Sequence, residues 1–286
     1  MNGLSGIDLR WLRQQFPHLS NLTPLSLGGQ KLVFSAVHPI DGEVVLKLIH
    51  PQQNDEATRR ELLAVAQVNS ARVPAILEDG TISTPVGACF WFRERRIDGH
   101  TVRELVAAAP LSTPDLLRLG LQTLESLLAA EQVKIVHRDV KPENIIRDAA
   151  SNFWLLDFGI ARHLNLDSLT ATVSAFGKFT VGYAPPEQYR NIKQDIDGRC
   201  DLFALGVTLY ECATGRNPFI YGARDIVEKL NRVETMPLPT LKLTFGRAQQ
   251  FADLIAAMTQ KRRDHRPSTV REAHEWMKEI CNAEGI

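Results

Sequence analysis

The segment His137-Arg138-Asp139-Val140-Lys141-Pro142-Glu143-Asn144, with Asp157-Phe158-Gly159 a short hairpin's length later, sets two aspartates, a lysine and an asparagine in a fixed order. These groups suit transfer of a phosphoryl group to a hydroxyl. That reaction needs neutralised phosphate charge, a held metal ion, an oriented hydroxyl and exclusion of water. Asp139 would orient the attacking hydroxyl and accept its proton. Lys141 would offset charge developing at the phosphate. Asn144 would offer an amide oxygen to Mg2+ and Asp157 would bridge metal and phosphates, since hard oxygen ligands suit that ion. Phe158 would pack beneath Asp157, and Gly159 would permit the turn that aims the carboxylate.

On these residues the chain resembles the eukaryotic-type (Hanks-type) serine/threonine protein kinase family over residues from about 25 to 280. Lys141 followed by Pro142-Glu143 looks like the serine/threonine branch and unlike aminoglycoside-type kinases. The resemblance implies ATP and Mg2+ (Mn2+ as a substitute) as cofactors and a protein as substrate. It makes Lys47, in Val44-Val45-Leu46-Lys47, the strand lysine that holds the α- and β-phosphates. Its implied partner is a glutamate on the first helix, Glu61 ahead of Glu56. Val33, Val45 and Ile146 would enclose adenine. Gly28 and Gly29 would bring backbone amides to phosphate, but Lys31 stands where the pattern has its last glycine. The connection Phe92-Arg93-Glu94-Arg95-Arg96-Ile97-Asp98-Gly99 is unusually charged. Its backbone should meet the adenine edge, with arginines that either serve the site or point to solvent.

The resemblance also implies regulatory and architectural roles. Arg138 would pair with a phosphate on the segment from Asp157 to Glu187, where Thr170, Thr172 and Ser174 are candidate autophosphorylation sites, with Ser168 nearby. Thr180 would contact Asp139 and Lys141. Glu187 would pair with Arg266, Asp201 would hold the catalytic backbone, and His137 would be a scaffold residue rather than a base.

These groups need elements to position them. Leu25 to Val37 and Glu43 to Ile49 read as a hairpin around Asp41-Gly42. Asp55 to Val68 reads as an amphipathic helix, and Ile76 to Phe92 as two further strands. Thr113-Pro114-Asp115 opens a leucine-rich helix, and Asp201–Thr214, Ala248–Met258 and Val270–Cys281 read as helices. The expected fold is α+β and bilobal. It has an N-terminal extension over 1–20, a small antiparallel lobe over 21–92, a hinge at 93–99 and a helical lobe over 100–286. Ile7 to Phe16 reads as either a helix on the small lobe or a partner-binding extension.

Formal net charge is zero, so bulk charge points to neither nucleic acid nor anionic membrane as partner. No run approaches the ~18 to 20 apolar residues of a membrane span. Cys89, Cys200, Cys212 and Cys281 lack paired spacing, as expected of reduced thiols in a cytoplasmic protein. The eight histidines show no metal-ligand spacing. The chain reads as a compact, stand-alone bacterial enzyme of this type, with oligomeric state and substrate identity left open. Two other readings are a pseudokinase or nucleotide-gated interaction module, suggested by the altered glycine segment and hinge, and a toxin-like or small-molecule kinase.

Overall fold

The computed structural model describes residues 7–27, 31–49, 64–85, 87–158 and 180–286. It divides into two compact units, and the main chain passes from the first to the second between Ile97 and Asp98.

The first unit is a five-stranded antiparallel sheet in the order β1-β2-β3-β5-β4. Its strands are β1 (Ser20–Leu27), β2 (Lys31–His38), β3 (Gly42–Ile49), β4 (Ile76–Thr84) and β5 (Gly87–Arg95). Gly42 takes a left-handed φ of +71° at the β2–β3 turn, which explains glycine after Asp41. Alternation divides the sheet into two faces. Leu32, Phe34, Ala36, Val44, Leu46, Leu48 and Cys89 lie in one buried cluster with Leu12, Phe16, Leu19 and Leu22. The other face carries two cross-strand rows: Val33–Lys47–Phe92 and Ser35–Val45–Glu94.

Helix α1 (Leu9–Gln15) covers the apolar face. Asp8 caps it by accepting the Trp11 N–H at 2.7 Å. Leu12 is fully buried, and Phe16 meets Trp91 edge to face at 5.0 Å. Of the two readings for Ile7 to Phe16, the helix packed on the sheet is the one observed. Removing a side chain as buried as Leu12 costs ~2 to 5 kcal/mol, so α1 is part of this unit's core.

The second unit is mostly helical. Its helices are α2 (Val102–Ala108), α3 (Thr113–Gln132), α4 (Pro186–Tyr189), α5 (Gly198–Thr214), α6 (Ile226–Thr235), α7 (Ala248–Met258) and α8 (Val270–Ala283). Helix α5 is buried from Cys200 to Cys212, as its apolar sequence requires. Asp197 caps its start, and Gly215 ends it in the left-handed conformation at φ +75°. A small sheet, β6 (His100–Thr101), β7 (Ile145–Arg147) and β8 (Phe153–Leu155), completes the unit. Pairing of Ile145 with Leu155 continues as a 2.8 Å bond from Leu156 N–H to the Asn144 carbonyl. This hairpin brings Asn144 alongside the residue preceding Asp157.

Candidate active site

The catalytic segment is held from below by one buried carboxylate. Asp201, on the first turn of α5, is 2% exposed. It accepts the backbone N–H groups of His137 through Oδ2 and Arg138 through Oδ1, each at 2.7 Å. His137 is fully buried. Its Nδ1 accepts the Asp139 N–H at 3.2 Å, which leaves Nε2 to donate to the Leu156 carbonyl at 2.8 Å. Its ring lies 4.6 Å from that of Phe158. With both nitrogens committed, His137 is a scaffold residue. Arg138 at φ +64° and Asp157 at φ +56° hold left-handed backbone, which costs non-glycine residues ~1 to 3 kcal/mol.

These contacts present a closed polar cluster. Lys141 Nζ lies 2.9 Å from Asp139 Oδ2 and donates to Thr180 Oγ1 at 3.0 Å. Thr180 Oγ1 donates to Asp139 Oδ1 at 2.7 Å. Asn144 Nδ2 donates to the Asp139 carbonyl at 2.9 Å and to Oδ2 at 3.0 Å. The Asp139 carboxylate is thus fixed by an ammonium, a hydroxyl and an amide. Both of these Asn144 bonds use its nitrogen.

On the first unit, Lys47 is 4% exposed and forms an ion pair with Glu94 at 2.5 Å. Val33 and Val45 share its face of the sheet. The implied partner Glu61, like Gly28, Gly29 and the candidate phosphosites Thr170, Thr172 and Ser174, lies outside the described residues. Glu94 was missed as a functional residue. Its signal was two-residue alternation on β5, which puts Phe92 and Glu94 on one side, together with the register that sets Glu94 across from Val45. Ile146 sits on β7 between Thr101 and Trp154.

The charged connection is only partly solvent-facing. Arg93 is 5% exposed, ion-paired with Asp41, and donates to Glu78 at 3.2 Å. Its bond holds the Asp41 carboxyl below the usual range, against partial burial. Arg95 and Arg96 are exposed, but their N–H groups donate to the carbonyls of Ala75 at 3.1 Å and Glu43 at 3.2 Å. Gly99 is required because a Cβ there would come within 2.2 Å of the Arg147 carbonyl oxygen.

Two ion networks brace the second unit. Arg266 spends all its donors: Nε on the Gln260 carbonyl at 2.7 Å, Nη1 on Glu187 and the Arg199 carbonyl, Nη2 on Glu187 and the Lys261 carbonyl. Arg103 joins Glu143 at 2.8 Å, Glu211 at 2.7 Å and the Tyr183 hydroxyl at 2.5 Å. Burial, then the neighbouring Glu211, pushes the Tyr183 hydroxyl far above its ordinary pKa.

The family profile described as "Protein kinase domain" matches residues 23–282. The chain belongs to the protein kinase domain family. Its sheet unit followed by a helical unit is the bilobal fold of that family. The chain is 29% identical over 229 residues to serine/threonine-protein kinase PknB of Mycobacterium tuberculosis, covering 79% of this chain and 36% of the relative. It is 33% identical over 253 residues to serine/threonine-protein kinase PknD of the same organism, covering 85% and 36%. PknB of Mycolicibacterium smegmatis is 30% identical over 217 residues, covering 75% and 34%. The chain thus spans about a third of the length of the curated relatives it matches. Among the described residues, no helix is long and apolar enough to cross a membrane.

Proposed function

We propose that this kinase domain transfers the γ-phosphate of ATP to serine or threonine hydroxyls of protein substrates. The arrangement of Lys141, Thr180 and Asn144 around the Asp139 carboxylate carries the reading. Asp139 accepts the proton of the attacking hydroxyl, whose oxygen bonds the γ-phosphorus as the bond to the β–γ bridging oxygen breaks and ADP leaves. Lys141 stabilises the charge gathering on the transferred group. Asn144 and Asp157 would hold Mg2+, which would supply positive charge to neutralise phosphate oxygens. Lys47, steadied by Glu94, draws in the α- and β-phosphates, with Val33, Val45 and Ile146 against adenine and the Gly28-Gly29 backbone over the phosphates. Residues 93–99 serve as the hinge. Lys47, Asp139, Asn144 and Asp157 are all present, which favours an active enzyme over a pseudokinase.

Autophosphorylation at Thr170, Thr172 or Ser174 belongs to the same proposal, with Arg138 as receptor for the new charge. A cytoplasmic site of action suits its four buried free thiols. The test is labelled ATP with Mg2+, a generic protein substrate and phosphoamino-acid analysis. Phosphoserine or phosphothreonine made by the wild type and absent with Asp139→Ala is expected. Equal labelling by that variant, or phosphotyrosine alone, would refute the reading. Phosphopeptide mapping of active enzyme should find modification within 168–174, and an unmodified segment would remove that part.

A further inference from the structure

The peptide group joining Arg138 to Asp139 is planar and includes the Asp139 Cα, so its orientation sets where the Asp139 side chain points. Its N–H side is held within the catalytic segment, by the bond from the Asp139 N–H to His137 Nδ1 at 3.2 Å. Its carbonyl side is held from outside that segment. Gln188 Nε2 donates to the Arg138 carbonyl at 2.8 Å. A carbonyl only accepts, so the Gln188 amide must present its nitrogen there. The side chain that makes this bond is 4% exposed.

Gln188 is itself fixed on both flanks. It lies on α4, between Glu187, gripped by Arg266, and Tyr189, whose hydroxyl bonds Glu234. Its own N–H donates to the Pro185 carbonyl at 3.0 Å. The stretch 180–189 thus reaches the Asp139 region twice. Thr180 Oγ1 donates to the carboxylate at 2.7 Å, and Gln188 bonds the peptide behind it. Arg138 holds left-handed backbone at φ +64°, which a non-glycine residue keeps only when its surroundings enforce it. Asp201 accepts the Arg138 N–H and Gln188 donates to the Arg138 carbonyl, so the residue is gripped at both of its peptide groups. Loss of the Gln188 donor would loosen the second of these, and Asp139 with it.

We infer that Gln188 is a positioning residue for phosphoryl transfer, aiming the Asp139 carboxylate at the substrate hydroxyl through the Arg138 carbonyl. The inference rests on the kinase reading above and adds a residue to its machinery. Gln188 touches no reacting atom, so its loss acts on kcat and leaves nucleotide binding in place.

The test measures initial rates for wild type, Gln188→Met and Gln188→Glu with a generic protein substrate across the range from about pH 6 to about pH 8.5, with thermal melts at each pH. Methionine keeps the length of the side chain and removes the donor. Gln188→Met should lose about tenfold in kcat, with KM for ATP within about twofold of wild type. Glutamate at high pH sets a carboxylate against the carbonyl, acceptor against acceptor, and kcat should fall about thirtyfold. Burial and the facing carbonyl favour the neutral acid, whose O–H donates the lost bond. The Gln188→Glu rate should therefore recover as pH falls, to within about threefold of wild type near about pH 6, while the ratio of Gln188→Met to wild type stays flat. Full kcat in Gln188→Met, a Gln188→Glu deficit that does not narrow at low pH, or losses that only track unfolding in the melts overturn the inference. An active wild type with unaffected variants leaves the kinase reading standing, whereas a wild type without transfer sinks that reading and this inference with it.

Discussion

Asp201→Asn separates a scaffold role from a catalytic one. The wild-type carboxylate accepts two backbone N–H groups at 2.7 Å in a site 2% exposed. Asparagine has one amide oxygen, so one N–H keeps its acceptor without the charge. The other faces an NH2 group, donor against donor. Hydrogen bonds to charged groups contribute ~1.5 to 3 kcal/mol, and an orphaned buried donor costs ~1 to 3 kcal/mol. Loss of one such bond and weakening of the other gives about 3 to 5 kcal/mol. The N–H groups belong to His137 and Arg138, and Arg138 is held at φ +64°. Released from Asp201, that backbone can relax and carry Asp139 out of register with Lys141 and Thr180. Urea unfolding should therefore show a loss of about 3 to 5 kcal/mol, a midpoint shift on the order of 10 °C in a thermal melt. Folded variant at low temperature should keep ATP affinity while kcat falls at least tenfold. A variant within ~0.5 kcal/mol of wild type, the spread of ordinary surface substitutions, with unchanged kcat would refute the reasoning.

Arg266→Lys keeps the charge but replaces a planar five-donor fork with three donors. Two or more of the acceptors around Glu187 lose their bonds, at a cost of about 2 to 4 kcal/mol in chemical denaturation. Glu94→Gln removes a carboxylate partner of Lys47, and the KM for ATP should rise about fivefold with little change in peptide KM, measured in initial-rate assays. Among the described residues Lys261 Nζ has no hydrogen-bond partner, and it lies over the Phe219 ring at 4.2 Å. Burial first, then Arg266, lowers its pKa to about 7 from 10.5. The unfolded chain therefore holds more protons between those values, so this residue destabilises the fold at neutral and lower pH and the penalty lifts as pH rises toward 10.5. Lys261→Met should stabilise the protein more at pH 6 than at pH 9 in thermal melts.

The catalytic segment was legible in sequence because its groups lie close together in a fixed order. The loop from His137 to Asn144 and the hairpin to Asp157 place them with few long-range decisions. Lys47 was singled out by its place ahead of the catalytic segment, since a lysine ending a strand run is by itself usually solvated. Glu94 was not, because its role depends on the β3–β5 register and its neighbours Arg93, Arg95 and Arg96 read as one charged stretch. Strand alternation splits that stretch, sending Arg93 to the Leu46 side and Glu94 to the Lys47 side. Arg103 was invisible for another reason: Glu143 and Glu211 lie 40 and 108 residues away, with no local pattern linking them. A short amphipathic stretch such as α1 could cover this sheet or a partner, and only the apolar face exposing Leu32, Phe34 and Leu46 decides between them.

In the proposed mechanism Asp139 handles the hydroxyl while Asp157 serves the metal-bound nucleotide. The most direct measurement pairs ATP binding by calorimetry in Mg2+ with γ-phosphate transfer for wild type, Asp139→Ala and Asp157→Ala. Asp139→Ala should bind ATP within about threefold of wild type and transfer nothing measurable. Asp157→Ala should lose transfer and the Mg2+-dependent part of binding together. Transfer retained by Asp139→Ala, or Mg2+-dependent binding unchanged in Asp157→Ala, would contradict the account.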